Sequence, residues 1–111
     1  MKLNVSDRLA ILSLLPRQGD VTTLRIIRDL ERELSFSEEE HAELGFRREG
    51  ELLMWDSSKD KVKEIAFGER ARRVVYDVLE SKSKAQTLGR EFLGLYEMFV
   101  EPETALVAER E

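Results

Sequence analysis

The sequence predicts an α+β domain with a helical N-terminal half, a small antiparallel β-hairpin sheet and two C-terminal helices. Three observations carry that expectation. Leu24, Ile27, Leu30 and Leu34 recur at three- and four-residue steps, the period of one helix face. At Val62-Lys63-Glu64-Ile65-Ala66-Phe67 the period drops to two, so Lys63, Ile65 and Phe67 share one side of a strand. The helical period returns through Ala71, Val74, Val75, Val78 and Leu79, which describes an amphipathic helix packed on the sheet.

In chain order, the first helix is expected from Ser6, whose hydroxyl can cap free amides while Asp7 favours the positive end of the helix dipole. Leu9, Ile11, Leu12, Leu14 and Leu15 form its apolar face, and Pro16 ends it by disfavouring helical geometry in the residue before it. Thr22 or Thr23 can cap a second helix over residues 22–35. Ser37 followed by Glu40 is a capping box that opens a short third helix, and Gly45 supplies its left-handed close. Phe36 and Phe46 flank that helix as anchors.

The hairpin is expected over residues 46–67. Leu52-Leu53-Met54-Trp55 forms one strand and residues 62–67 the other, with Asp56-Ser57-Ser58-Lys59-Asp60 as the turn between them. A further turn at Glu49-Gly50 allows residues 46–48 to add a third short strand. The next helix starts at Glu69, and residues 81–86 form a polar break. A last helix over residues 87–100 places Leu88, Phe92, Leu95, Tyr96 and Phe99 on one side and stops before Pro102. Residues 1–100 thus read as one compact domain and residues 101–111 as a flexible tail.

Composition narrows the classes of function. The 111 residues contain no cysteine, so disulfides, thiolate zinc sites and cysteine nucleophiles are excluded, in keeping with a cytoplasmic protein. No apolar run approaches the roughly 20 residues that span a bilayer, so no membrane partner is expected. The net charge is −5. Lys and Arg stand against Asp and Glu at 6 to 9 over residues 1–44, 5 to 5 over 45–68 and 7 to 9 over 69–111. No segment is a basic footprint of the kind nucleic-acid domains carry.

The chemistry of the residues points away from catalysis. The single histidine, His41, lies in the acidic third helix. Glu38 and His41 have the three-residue spacing of a carboxylate-bridged metal pair, but such sites need a second pair on a facing helix. The six glycines are isolated and none leads into Gly-Lys-Ser/Thr, so a phosphate cradle is missing. Glu38, Glu39 and Glu40 read as a dipole-favoured first turn. No catalytic residue, cofactor or metal site is expected.

Two contact surfaces remain. Arg47, Arg48, Lys59, Lys61 and Lys63 lie in and around the expected hairpin, where lysines can touch phosphate or guard a sheet edge against aggregation. In the last helix, Phe92, Leu95, Tyr96 and Phe99 exceed what a small sheet can cover, which suggests a protein interface and a homodimer. Glu69 and Asp77 are both spaced to pair with Arg73.

The order of three helices, a hairpin and a further helix resembles a winged helix-turn-helix. The segment Ile65-Ala66-Phe67-Gly68-Glu69-Arg70-Ala71-Arg72 is similar to the exit from the wing in MarR-type regulators. That resemblance implies a DNA-binding regulator working through its wing, because the third helix carries Glu38, Glu39, Glu40 and Glu43 and no Lys or Arg. Separately, Leu34-Ser-Phe-Ser-Glu-Glu-Glu-His41, Phe46, Gly50 and Met54-Trp-Asp56 resemble small uncharacterised bacteriophage and prophage proteins. The leading expectation is a non-catalytic protein-interaction module of that kind, with the regulator as the alternative.

Overall fold

The computed structural model describes residues 1–101 and has the expected α+β class. Its elements are β1 (Lys2–Leu3), α1 (Val5–Leu14), α2 (Val21–Leu34), α3 (Glu38–Leu44), β2 (Arg47–Glu49), β3 (Leu52–Met54), β4 (Lys63–Glu64), α4 (Glu69–Lys84) and α5 (Leu93–Val100). Single 3₁₀ turns occupy Ser57–Lys59 and Arg90–Phe92. The tail expected over 101–111 lies, apart from Glu101, outside the described residues.

Helix boundaries follow the polar caps, and two caps differ from expectation. α1 starts one residue before Ser6 because Asn4 accepts from the Asp7 amide at 2.8 Å while the Asp7 carboxylate accepts from the Asn4 amide. Asparagine and aspartate together form the reciprocal cap that serine was expected to begin. α2 is capped by Asp20, which accepts from the Thr23 amide at 2.7 Å. Thr23 is therefore the recipient of the cap. α3 has the expected box from Ser37 and Glu40, and Gly45 closes it at φ 60°.

α4 runs past the expected break at Ser81 to Lys84. Its end is held by the Gln86 amide donating to the Ser83 carbonyl and the Thr87 amide to the Lys82 carbonyl, the paired bonds of a Schellman close. Gln86 occupies the left-handed position at φ 59°, which costs a residue with a Cβ about 1–2 kcal/mol. Gln86→Gly is expected to raise stability by about 0.5–1 kcal/mol, the remainder being offset by glycine's greater freedom in the unfolded chain. A urea midpoint that rises at constant slope checks this.

The short strand expected over residues 46–48 is present, as β2, but the main hairpin expected between residues 52–55 and 62–67 is not. β3 instead pairs with β2 through Gly50-Glu51, in the register Arg47↔Met54, Arg48↔Leu53 and Glu49↔Leu52. Gly50 has φ 65° and Glu51 is not left-handed, the requirement of a two-residue turn with glycine first. β4 pairs with β1, Lys2 opposite Glu64 and Leu3 opposite Lys63. The 56–60 segment does not return the chain to β3, because the Asp56 side chain and the Ser57–Lys59 turn fold it onto itself.

One core joins α1, α2, α4, α5 and the β1/β4 pair. Leu3, Ile11, Leu34, Ile65 and Leu79 are fully buried in it, with Ile27, Leu30, Val75, Leu95 and Phe99 around them. Phe67 meets Phe99 edge-on at 5.5 Å. α3 and the β2–β3 hairpin extend from this body, and no residue of the hairpin strands is buried.

Candidate interaction surface

The acidic third helix owes its position to one residue, Arg8. Val5, Arg8 and Ile11 lie on the buried face of α1, and Arg8 is 1% exposed. Its Nε donates to the Leu34 carbonyl at 3.1 Å and its Nη2 to the Ser35 carbonyl at 2.7 Å. The remaining donors form a charge-assisted pair with the Glu40 carboxylate. The guanidinium also lies 3.9 Å from the centre of the Phe36 ring. A buried charge of this kind requires a partner and satisfied donors, and the C-terminal end of α2 and the first turn of α3 supply both.

Glu40 consequently does two things at once. It closes the capping box by accepting from the Ser37 amide at 3.0 Å, and it neutralises Arg8. The Arg8 hydrogen bond, followed by that from Ser37, holds its carboxyl well below the usual range, at about 2. Lys63 adds a longer contact at 3.8 Å. The sequence signal for Arg8 is its position one turn before Ile11, on the buried face of the first helix.

The five cations expected to form a basic wing do not share one. Arg47 and Arg48 are on β2, where Arg47 pairs with Glu49 at 3.1 Å. Lys59 is in the 3₁₀ turn and Lys63 on β4, away from the hairpin. Lys61 lies 3.9 Å from Glu43 and Lys63 beside Glu40, while Lys59 and Lys61 share a small pocket of about 50 Å³ with those same two acids. The acids of α3 thus sit among these lysines and pair with two of them.

The expected interface on the last helix is also redistributed. Leu95 and Phe99 are 4% and 8% exposed, turned into the chain's own core. Phe92 and Tyr96 are half-buried against it. The wall against which α5 packs is α4 and not the sheet, and Leu93 at the start of α5 is left exposed. The Tyr96 hydroxyl donates to Glu80 at 2.6 Å, which raises its pKa above the ordinary phenol value. Arg73 pairs with Asp77 at 3.2 Å.

Val21, Val62 and Leu93 are exposed singly elsewhere on the chain, whereas the hairpin and its base carry a contiguous apolar run. Leu52 is 66% exposed, and Leu53, Met54 and Trp55 are half-exposed. An aromatic row runs from Phe36 to Phe46 at 5.0 Å and from Phe46 to Trp55 at 6.2 Å, with the His41 ring edge-on to Phe36 and Phe46. His41 therefore sits among aromatic rings, and among the described residues no three His, Asp or Glu side chains converge as a metal site. The Trp55 Nε1–H is shielded from solvent and has no acceptor among the described residues.

A shallow cleft between α4 and α5, about 410 Å³, is lined by Arg70, Arg72, Arg73, Tyr76 and Met98. Its arginines were legible in the sequence only as helix charges. No described helix is long and apolar enough to cross a membrane. No family model, curated protein or solved structure matches the chain.

Proposed function

We propose that the protein is a non-catalytic protein-interaction module whose contact surface is the β2–β3 hairpin with the aromatic row at its base. The observation that supports this is the apolar run Leu52-Leu53-Met54-Trp55 on an arm that the chain's own helices leave unburied. A two-stranded hairpin by itself is marginal in water, and burying a leucine side chain contributes roughly 1.5–3 kcal/mol. A partner that covers the arm gains that burial and orders the arm at the same time. A cytoplasmic setting and a phage or prophage origin belong to the same proposal, supported by the lack of cysteine and by the resemblance around Phe36 to Asp56.

DNA contact through Arg47, Arg48, Lys59, Lys61 and Lys63 is the less supported reading, because Glu40, Glu43 and Glu49 stand beside three of those cations. Phosphate neutralisation needs cations that are free to displace counterions.

A photo-activated cross-linking side chain placed at Leu52, in cells that express the protein, tests the proposal. Protein adducts at position 52 that are missing when the probe replaces exposed Arg28 on α2 are the expected result. Adducts to nucleic acid, or none to protein, would overturn it.

A further inference from the structure

We infer that the occupant of the hairpin is a second copy of this chain, joined along the outer edge of β3 so that two hairpins form one four-stranded antiparallel sheet. The inference rests on the interaction reading above and names its partner. It starts from backbone geometry. In a hairpin with a two-residue turn the pair flanking the turn, here Glu49 and Leu52, is hydrogen-bonded, and such pairs alternate with unbonded ones. Arg48 and Leu53, the next pair in register, therefore direct their N–H and C=O groups away from each other, towards the two open edges. The sheet contains β2 and β3 alone.

The two edges are not equivalent. β2 reads Arg47-Arg48-Glu49, and charged side chains of this kind discourage edge pairing. A two-fold pairing centred on its outward residue would set Arg48 against Arg48 of the other copy, and like charges directly opposite are destabilising. β3 and the residue after it read Leu52-Leu53-Met54-Trp55, with no charge and no proline. A two-fold pairing centred on Leu53 sets Leu53 against Leu53 and Leu52 against Met54. All of these are apolar, and the two Leu53 residues exchange both of their free backbone bonds. The other open edges guard themselves as β2 does, since Lys2 lies on β1 and Lys63 and Glu64 on β4. Among the described strands β3 is thus the one edge without a charged residue.

An isologous interface of this sort is self-complementary by construction. It is also small. A three-residue strand pair with Trp55 at its margin falls short of the roughly 1,200 Å² of a standard stable interface, so the dimer forms as a concentration-dependent equilibrium.

Sedimentation equilibrium of the full chain across micromolar to millimolar concentration tests the inference. The expected result is a mass that rises from 12.9 kDa towards twice that value. Leu53→Lys, which sets two charges opposite each other, and Leu53→Pro, which removes an N–H that the hairpin itself does not use, are each expected to weaken association at least tenfold. Arg48→Glu, on the opposite edge, should leave it unchanged, and helical circular dichroism should be the same in all of them because the hairpin lies outside the core. A dimer that survives both Leu53 changes but is lost in Phe92→Asp would overturn the inference in favour of α5. A chain that stays monomeric throughout would also overturn it, and if position 52 still cross-links another protein in cells, the interaction reading stands without the self-association.

Discussion

Replacing Arg8 by alanine is expected to lower the free energy of unfolding by about 3–5 kcal/mol, the usual cost of breaking a buried ion pair from one side. The side chain is 1% exposed, so its donors are not shared with bulk solvent. Truncation removes the donors to the Leu34 and Ser35 carbonyls and deprives the Glu40 carboxylate of its principal partner. It also opens space beneath the Phe36 ring. At roughly 4 °C per kcal/mol for a chain of about this size, Tm falls by more than about 10 °C. Arg8→Met, which restores much of the volume but none of the donors, should recover only part of the loss. Thermal unfolding of the three proteins side by side decides between volume and hydrogen bonding.

The same pair fixes a pH dependence. Glu40 has its carboxyl lowered to about 2 in the folded chain from 4.5, first by the Arg8 hydrogen bond. A carboxylate whose folded pKa is depressed binds fewer protons in the native state, so stability rises with pH across the interval between the two values. Its contribution is therefore complete above about pH 4.5 and lost as the pH falls towards 2. Glu40→Gln keeps an acceptor for the Ser37 amide but no longer titrates. The stability gap between wild type and Glu40→Gln should stay constant above pH 4.5 and narrow steadily below it; a gap independent of pH down to 2.5 would show that Arg8 and Glu40 are not coupled in solution.

How much of this was legible in the sequence depends on whether local chemistry decided the matter. The capping box of Ser37 and Glu40, the left-handed Gly45 and the stripes of α2 and α4 are determined within a few residues, and the sequence shows each of them, except that Leu24 at the start of the α2 stripe is exposed. Strand pairing was legible where a turn lay close by. Residues 46–48 were expected to join 52–55 through the turn at Gly50, and they do so as β2, but the expected partnership of 52–55 with 62–67 across a longer loop does not form. The pairing of β4 with β1 lies beyond any local signal, since the partners are sixty or more positions apart. The candidate surface was half legible for the same reason. The apolar run at 52–55 was visible, but its exposure depended on which helix covered which strand, and only the folded chain places α5 on α4 and leaves β3 open. Arg8 is the converse case. A charged residue at a core position reads as an interruption until its partner, thirty-two positions later, is known.

Leu3→Ala should cost about 2–5 kcal/mol, the range for truncating a fully buried leucine, although the sequence assigns Leu3 to no element. Leu3 is 0% exposed and belongs to the same buried cluster as Ile11, Leu34, Ile65 and Leu79. The strand it lies on is only two residues long, so its hydrogen bonds alone could not hold it in place. Burial of Leu3 between the helices holds β1, and with it the preceding residue Met1, whose carbonyl accepts from the Ile65 amide at 2.8 Å. Losing the Leu3 side chain therefore loosens both ends of the pairing at once. Leu52→Ala offers the contrast, because a leucine 66% exposed loses little on truncation in dilute solution. Urea unfolding measures the two costs, and hydrogen exchange at the Ile65 amide locates the first of them. Equal stability losses for the two leucines would contradict the division between a core closed by β1 and an arm left open at β3.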